Sequence, residues 1–291
     1  MASLKELNLK ISSLKNTQKM TKTMKLVAAS KMRRAQQAQE NAREYAARLE
    51  LVLAGVAANP PDAPHPLMVA RLPSAKALVL FITSDRGLCA GFNNNLCRFT
   101  ARWLANEGKA HAHLAMSFCG RRGHIFFRSR LTLDTHYEGA TERPSFETAT
   151  RIADELMAAF TAGTYDVIYL AYNRFRSALV QTPTIEKLLP ISNQPDLDRA
   201  APAAPTGSDY LFEPEESELL HRLLPSALRF QVFHALLENA AGEHAARMTA
   251  MDSASRNAGD MIKFYTLKRN RERQAAITKE LIEIVTGAEA L

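Results

Sequence analysis

The stretch Leu4-Lys-Glu-Leu-Asn-Leu-Lys-Ile-Ser-Ser-Leu14 places Leu4, Leu7, Ile11 and Leu14 at steps of three, four and three. That spacing stacks four apolar side chains on one side of a helix. A polar gap at Thr17, Gln18 and Thr21 follows. The stripe then resumes through Met20, Met24, Val27, Ala35, Ala38, Ala42, Tyr45, Leu49, Val52 and Val56. This near-heptad seam is rich in alanine, so a partner helix can approach it closely. Ser3 with Glu6 forms a capping-box pattern at its start. Residues 1–59 and 226–291 contain no proline, and all 13 prolines lie between them. Proline breaks helix interiors, so both ends are free to form very long helices. About 55 helical residues reach roughly 80 Å, more than a compact domain needs.

The C-terminal end has a matching seam: Val232, Leu236, Ala240, Met248, Met251, Ala258, Ile262 and Tyr265, then Leu281, Ile284 and Val285. Pro225 suits the first turn of this helix, with a shorter helix over 215–223 before it. Gly287 is placed to end it. The two seams predict an antiparallel coiled coil. The alternative is two members of an ordinary helical bundle. Against it, residues 263–280 carry Lys263, Lys268, Arg269, Arg271, Arg273 and Lys279 with little apolar surface for a core.

The middle alternates strands and helices. Strands are predicted at 77–82, 113–119, 165–172 and 181–191, and helices at 92–106, 121–128 and 146–160. That order implies a Rossmann-like α/β domain with a mostly parallel sheet. Residues 193–209, rich in Pro, Ala and Asp, read as an exposed loop. The fold class is therefore α/β plus a long α-helical coiled coil. Its domains are an N-terminal shaft helix (1–59), a central α/β domain (60–212) and a C-terminal shaft helix (213–291).

Composition narrows the function. With 46% hydrophobic and 23% charged residues over 291 positions, the chain is globular rather than disordered. No apolar run approaches the ~20 residues of a membrane helix, and Met1-Ala-Ser-Leu-Lys5 does not open a signal peptide. Three cysteines, Cys89, Cys97 and Cys119, lack zinc spacing and suit a reducing compartment. The net charge of +7 is concentrated: residues 1–34 alone carry +8. Such a stripe attracts an acidic partner, be it protein, phosphate or membrane.

Ser84-Asp-Arg-Gly-Leu-Cys-Ala-Gly-Phe-Asn93 follows a strand and opens a helix, where phosphate loops sit. It lacks the spacing of either glycine-rich phosphate motif. Gly87 and Gly91 are instead expected to serve a tight turn and close helix–strand packing. Cys89 has no histidine nearby in sequence to activate it. His111 and His113 could face one side of a strand, but no third metal ligand is evident, and exposed histidines are expected there. No catalytic residue, cofactor site or metal site is assigned.

Four segments resemble the F-type ATP synthase gamma subunit family. They are Asn16-Thr-Gln-Lys-Met-Thr-Lys-Thr-Met-Lys-Leu-Val-Ala-Ala-Ser-Lys-Met-Arg33, the 84–93 loop, Glu243-His-Ala-Ala-Arg-Met-Thr-Ala-Met-Asp-Ser-Ala-Ser-Arg-Asn-Ala258, and Arg273-Gln-Ala-Ala-Ile-Thr-Lys-Glu-Leu-Ile-Glu-Ile-Val285. The resemblance spans the chain in order. It departs where the family usually has glycine (Ala90), glutamine (Lys279), and glycine or serine (Thr286). It implies a non-catalytic central-stalk rotor that couples transmembrane ion flow to ATP chemistry in its neighbours. The implied partners are catalytic beta and non-catalytic alpha subunits, the epsilon subunit and the membrane c-ring. The implied place is peripheral, on the cytoplasmic face of the inner membrane. By the same resemblance, Lys22, Met24 and Lys25 face the acidic lever of the catalytic subunits. Arg273, Gln274 and Thr278 make polar contacts to a loop of those subunits. Residues 281–291 form a tip inside an apolar sleeve, where Glu280, Glu283 and Glu289 are unexpected. The rival reading is a basic coiled-coil protein on nucleic acid. Residues 1–44 contain no aromatic residue to stack on bases, which speaks against it. An enzyme using the α/β domain is a second rival, weakened by the missing phosphate motif.

Overall fold

The computed structural model describes residues 4–58, 65–71, 75–129, 131–191 and 216–289. It divides into two compact units, Met1–Ala29 with Arg247–Leu291, and Ser30–Ala246. The long helices are α1 (Leu4–Ala58) and α5 (Glu216–Glu289), of 55 and 74 residues. The expected break before Pro225 is absent, because α5 is continuous through that proline. Leu220, Leu224 and Leu228 are buried on its inner side, so packing holds the first turns in helical form across the one missing N–H. Gly287 likewise lies inside α5 rather than ending it. Ser3 and the 193–209 segment fall outside the described residues.

The first unit is a helix pair. Leu7, Ile11, Thr21 and Ala28 of α1 are buried, with Leu14, Gln18 and Lys25 half-buried between them. This is an unbroken alternation of three- and four-residue steps. The seam therefore runs through the supposed polar gap instead of stopping there. Met20 and Val27 are 63% and 52% exposed, on the outer side. On α5 the matching positions are Met251, Ser255, Ala258 and Ile262. Gln18 Nε2 donates to the Ser255 carbonyl at 3.4 Å, and Lys25 Nζ meets Asp252 Oδ1 at 2.6 Å. One residue number rises as the other falls, so the helices are antiparallel. Gly259 keeps the approach open, since a Cβ there would lie 2.9 Å from Gln18 Nε2.

The second unit is a three-layer α/β domain. Its strands are β1 (Lys76–Ile82), β2 (His113–Cys119), β3 (Thr132–Tyr137), β4 (Val167–Phe175) and β5 (Gln181–Leu189), in the order β3-β2-β1-β4-β5. All neighbouring pairs are parallel except β4–β5. β3 was not anticipated. It is an edge strand whose first four residues are exposed, so it lacks an apolar alternation. A bulge places Asp134 and Thr135 opposite the single Ser117. On one face, α4 (Phe146–Thr161) and residues 220–236 of α5 close the core over Leu78, Leu80, Ile168 and Leu170. On the other, α2 (Phe92–Asn106) and α3 (Arg121–Phe127) cover Val79, Phe81, Met116 and Phe118. Phe81, Phe118 and Phe127 pack edge-on or tilted with centroids 5.3–6.3 Å apart.

The turn from β2 into α3 depends on Gly120, at φ +97°, where a Cβ would fall 2.4 Å from the Thr83 carbonyl oxygen. Gly139 also has positive φ (+71°), but nothing lies within 4 Å of its would-be Cβ. Gly139→Ala should therefore lose only the left-handed penalty of about 1 kcal/mol. Gly120→Ala, which must also move backbone, should lose clearly more. Thermal melts of the two variants check this; equal shifts would show that the Thr83 contact relaxes freely.

Candidate functional site

The 84–93 loop occupies the place where α/β folds bind phosphate, at the carboxyl end of β1. Here the place is filled by the chain itself. Asn93 binds the Ser84 amide through Oδ1 at 3.0 Å, and its Nδ2 reaches Ser84 Oγ at 2.7 Å and Cys89 Sγ at 3.2 Å. Asp85 accepts from the Arg121 amide and from Thr141 Oγ1, and Arg86 pairs with Glu142 at 2.8 Å. α5 closes the loop from behind. Asn239 Nδ2 donates to the Thr83 carbonyl at 3.2 Å, and a Cβ on Gly242 would stand 3.0 Å from the Phe92 ring. Phe92, Cys89 and Ala246 form a small buried cluster. The loop is a joint between sheet and helix. Its left-handed residues are Leu88 (φ +64°) and Ala90 (φ +48°), whereas Gly91 has φ −79° and is the N-cap residue of α2. A glycine at 90 would relax that backbone.

The thiols are poorly placed as nucleophiles. All three are buried thiols outside any disulfide among the described residues. Burial pushes Cys97 up to about 12, and burial with nearby Asp85 pushes Cys119 up as well. His113 is exposed, while His111 is half-buried with Nε2 3.2 Å from Tyr169 Oη. Among the described residues no cluster of three or more His, Cys, Asp or Glu could hold a metal ion, and no helix is long and apolar enough to cross a membrane.

What the helix pair offers is surface. Lys22, Leu26 and Val27 are exposed, and Met24 is half-buried beside them. Lys25 turns partly inward to Asp252, which also accepts from Arg256 at 3.1 Å. The Lys25 hydrogen bond is the main cause holding the Asp252 carboxyl below the ordinary carboxylate range; partial burial opposes it and Arg256 assists. On α5, Met261, Phe264 and Leu267 are exposed among the basic residues. Arg273, Gln274 and Thr278 are all exposed, with Thr278 Oγ1 donating to the Gln274 carbonyl at 2.9 Å. Every residue from 277 to 286 is exposed. Ile277, Leu281 and Ile284 lie at helical spacing on one side, and Lys279 pairs with Glu283 at 3.5 Å. The six residues singled out from the sequence form two groups, not one site. Asp252, which faces Lys25, lies 21 residues before Arg273 on α5, or about 32 Å at 1.5 Å per residue. Sequence reading missed Asn239 and Gly242 as the helix side of the joint. A buried asparagine and a glycine inside an unbroken helix are the signal that could have found them.

Comparison with known proteins gives this arrangement its class. Residues 3–291 match the family described as ATP synthase. An ATP synthase gamma chain of Geobacter metallireducens is 44% identical over 291 residues, covering 100% of this chain and 99% of that one. One of Methylobacterium nodulans is 45% identical over 300 residues, with 100% of both chains covered. Among solved structures, a chain of the central stalk and c-ring of the Tetrahymena thermophila mitochondrial ATP synthase has a TM-score of 0.57 at 25% identity, covering 81% of this chain and 99% of that one. A chain of the Euglena gracilis mitochondrial enzyme shares the fold, with a TM-score of 0.65 at 18% identity, covering 99% and 94%. The chain belongs to the ATP synthase gamma family. It is a non-catalytic rotor subunit, and the ATP chemistry is not its own.

The Lys25–Asp252 pair carries a pH signature. Because the folded carboxyl titrates below its ordinary value of about 4, its contribution is present above that value and disappears as pH falls through the folded value. Amide exchange over 18–28 should therefore lose more protection between pH 6 and pH 3 in the native protein than in Asp252→Asn, after correction for intrinsic rates. Equal losses would remove the pair from the energetics of the seam.

Proposed function

We propose that the helix pair is the working face of the rotor and meets the catalytic subunits at two levels. The lower level is Lys22, Met24 and Lys25, set against an acidic lever. The upper level is Arg273, Gln274 and Thr278, set against a polar loop. The observation that carries this reading is the outward display of basic and apolar side chains together on a helix pair whose own seam is already closed. Exposed ion pairs are worth only ~0–1 kcal/mol each, which suits contacts that break at every step. The exposed 277–286 segment, with Ile277, Leu281 and Ile284 on one side, fits an apolar sleeve formed by the alpha and beta subunits. The Lys279–Glu283 pair lets one of the tip carboxylates be neutralised within the helix.

In this reading the chain works as an N-terminal shaft helix (1–59), a central α/β domain (60–212) and a C-terminal shaft helix (213–291). The α/β domain receives the drive from the c-ring and the epsilon subunit on the cytoplasmic face of the inner membrane. The helix pair delivers it to the catalytic sites as a displaced element that couples distant equilibria.

Two measurements test this. Arg273→Glu should lower ATP-driven ion pumping relative to ATP hydrolysis in vesicles, because reversed charge at an interface costs up to several kcal/mol. An unchanged ratio with unchanged rates would remove Arg273 from the contacts. In a complex whose chain has Cys89, Cys97 and Cys119 replaced, one cysteine at Lys22 and one on a facing catalytic subunit should stop multi-turnover ATPase on oxidation and restore it on reduction. A disulfide holds two sulfurs ~2 Å apart, which a turning shaft cannot tolerate. Continued turnover in the verified cross-linked complex would refute rotation.

A further inference from the structure

One edge of the α/β unit carries a pair of histidines that has no part in the rotor surface. His124 lies on α3 and His136 on the edge strand β3, and their rings stack with centroids 4.6 Å apart and planes 13° from parallel. β2 adds the buried Phe118 ring, which meets His124 edge-on at 5.7 Å and sits opposite His136 in the strand register. The stack joins two short elements at the margin of the sheet: α3 has seven residues, and β3 is laddered to β2 alone, with a bulge. Few charged groups surround it. Arg128 closes α3, and Glu138 follows β3 with Oε1 3.8 Å from His136 Nδ1 and its side chain almost wholly in solvent. His136 Nε2 is buried with no hydrogen-bond partner among the described residues. The opposite face of β3 carries Asp134, which accepts from Ser117 and Tyr165, and Tyr137, which donates to Glu155 at 2.8 Å.

Neutral imidazole rings stack as other aromatic rings do. Charge on both rings sets two cations 4.6 Å apart, with Arg128 adding a third and only the solvent-screened Glu138 opposing them. A charged His136 also has two N–H donors, and the one on Nε2 finds no acceptor among the described residues. Burial, then His136, then Arg128 hold the His124 ring below its ordinary value of 6.5, against the pull of Glu138. A lowered folded value favours the neutral ring. Its contribution is therefore present above the ordinary value and is lost as pH falls through the folded one. We propose that the His124–His136 stack is an acid-released latch: neutral, it holds α3 on the edge strand β3, and charged, it lets this edge open before the rest of the sheet. The inference goes beyond the rotor reading and does not rest on it, since it needs only the α/β unit.

The test is amide exchange read by mass spectrometry on the assembled complex at pH 7.5 and pH 5.5, corrected for intrinsic rates. The lower pH lies above the ordinary carboxylate range of about 4, so the window addresses histidine charge rather than Asp134, Glu138 or Glu155. In the native protein, peptides over 121–128 and 131–137 should lose protection about threefold or more between the two conditions. Peptides of α2, which contains no histidine, should hold theirs. His124→Phe keeps a ring against His136 and Phe118 but takes up no proton, and should cut the loss to less than about 1.5-fold. Equal losses in the native chain and in His124→Phe, or a loss shared equally by α2, would overturn the latch. If His124→Phe does not assemble, His136→Phe decides by the same comparison.

Discussion

Twelve consecutive residues of α5, Ala235 to Ala246, are buried. An amphipathic helix has one wet side; this segment has none, so the partners of its polar groups have to come from inside the protein. That requirement organises the α/β unit. Asn239 answers the Thr83 carbonyl at the end of β1, and Glu238 takes Gln39 from α1. Alanines at 235, 240, 241, 245 and 246 and Gly242 keep the segment thin enough for the sheet, the 84–93 loop and α1 to reach it. A bulkier helix here would separate these elements.

The same constraint fills the position at which folds of this kind can cradle a phosphate. The carboxyl end of β1 is where a helix N-terminus and a glycine-rich turn would cradle phosphate. In this chain that end is sealed by Asn93, Phe92 and α5. The gain is a joint. Within the α/β unit the sheet is tied to α5 through the Asn239–Thr83 hydrogen bond and the close approach of Gly242 to Phe92. The surface chemistry fits that division of labour. Buried polar groups cluster in the α/β unit, while the helix pair keeps a short list of internal bonds and turns its remaining lysines, arginines and apolar residues outward.

Much of this was legible in the sequence, and the failures have physical causes. Strands β1 and β2 and helices α2 and α4 were read to within a residue or so, because each is an apolar run or an amphipathic repeat bounded by turn residues. The seam of α1 was read with the wrong phase over 17–27. Ranking by apolarity selected Met20 and Val27, whereas the helices close on Gln18, Thr21, Lys25 and Ala28, whose small or extensible side chains allow a near approach. β3 was missed because an edge strand has no buried alternation to show. The continuous start of α5 was missed because Pro225 argues locally for a break that Leu220, Leu224 and Leu228 overrule through the core.

Proline placement, the heptad steps and the four family-like segments determined, from sequence alone, the long paired helices, the α/β centre and the family. They could do so because these are local or periodic properties of the chain. The tertiary structure alone decided which face of α1 is inside, that Lys25 spends its charge partly on Asp252, that the 84–93 loop is sealed by Asn239 and Phe92, and that Glu238 of α5 meets Gln39 of α1. Each of those depends on residues tens to hundreds of positions apart. Their meeting is fixed by how the helices pack on the sheet, and no window of sequence contains it.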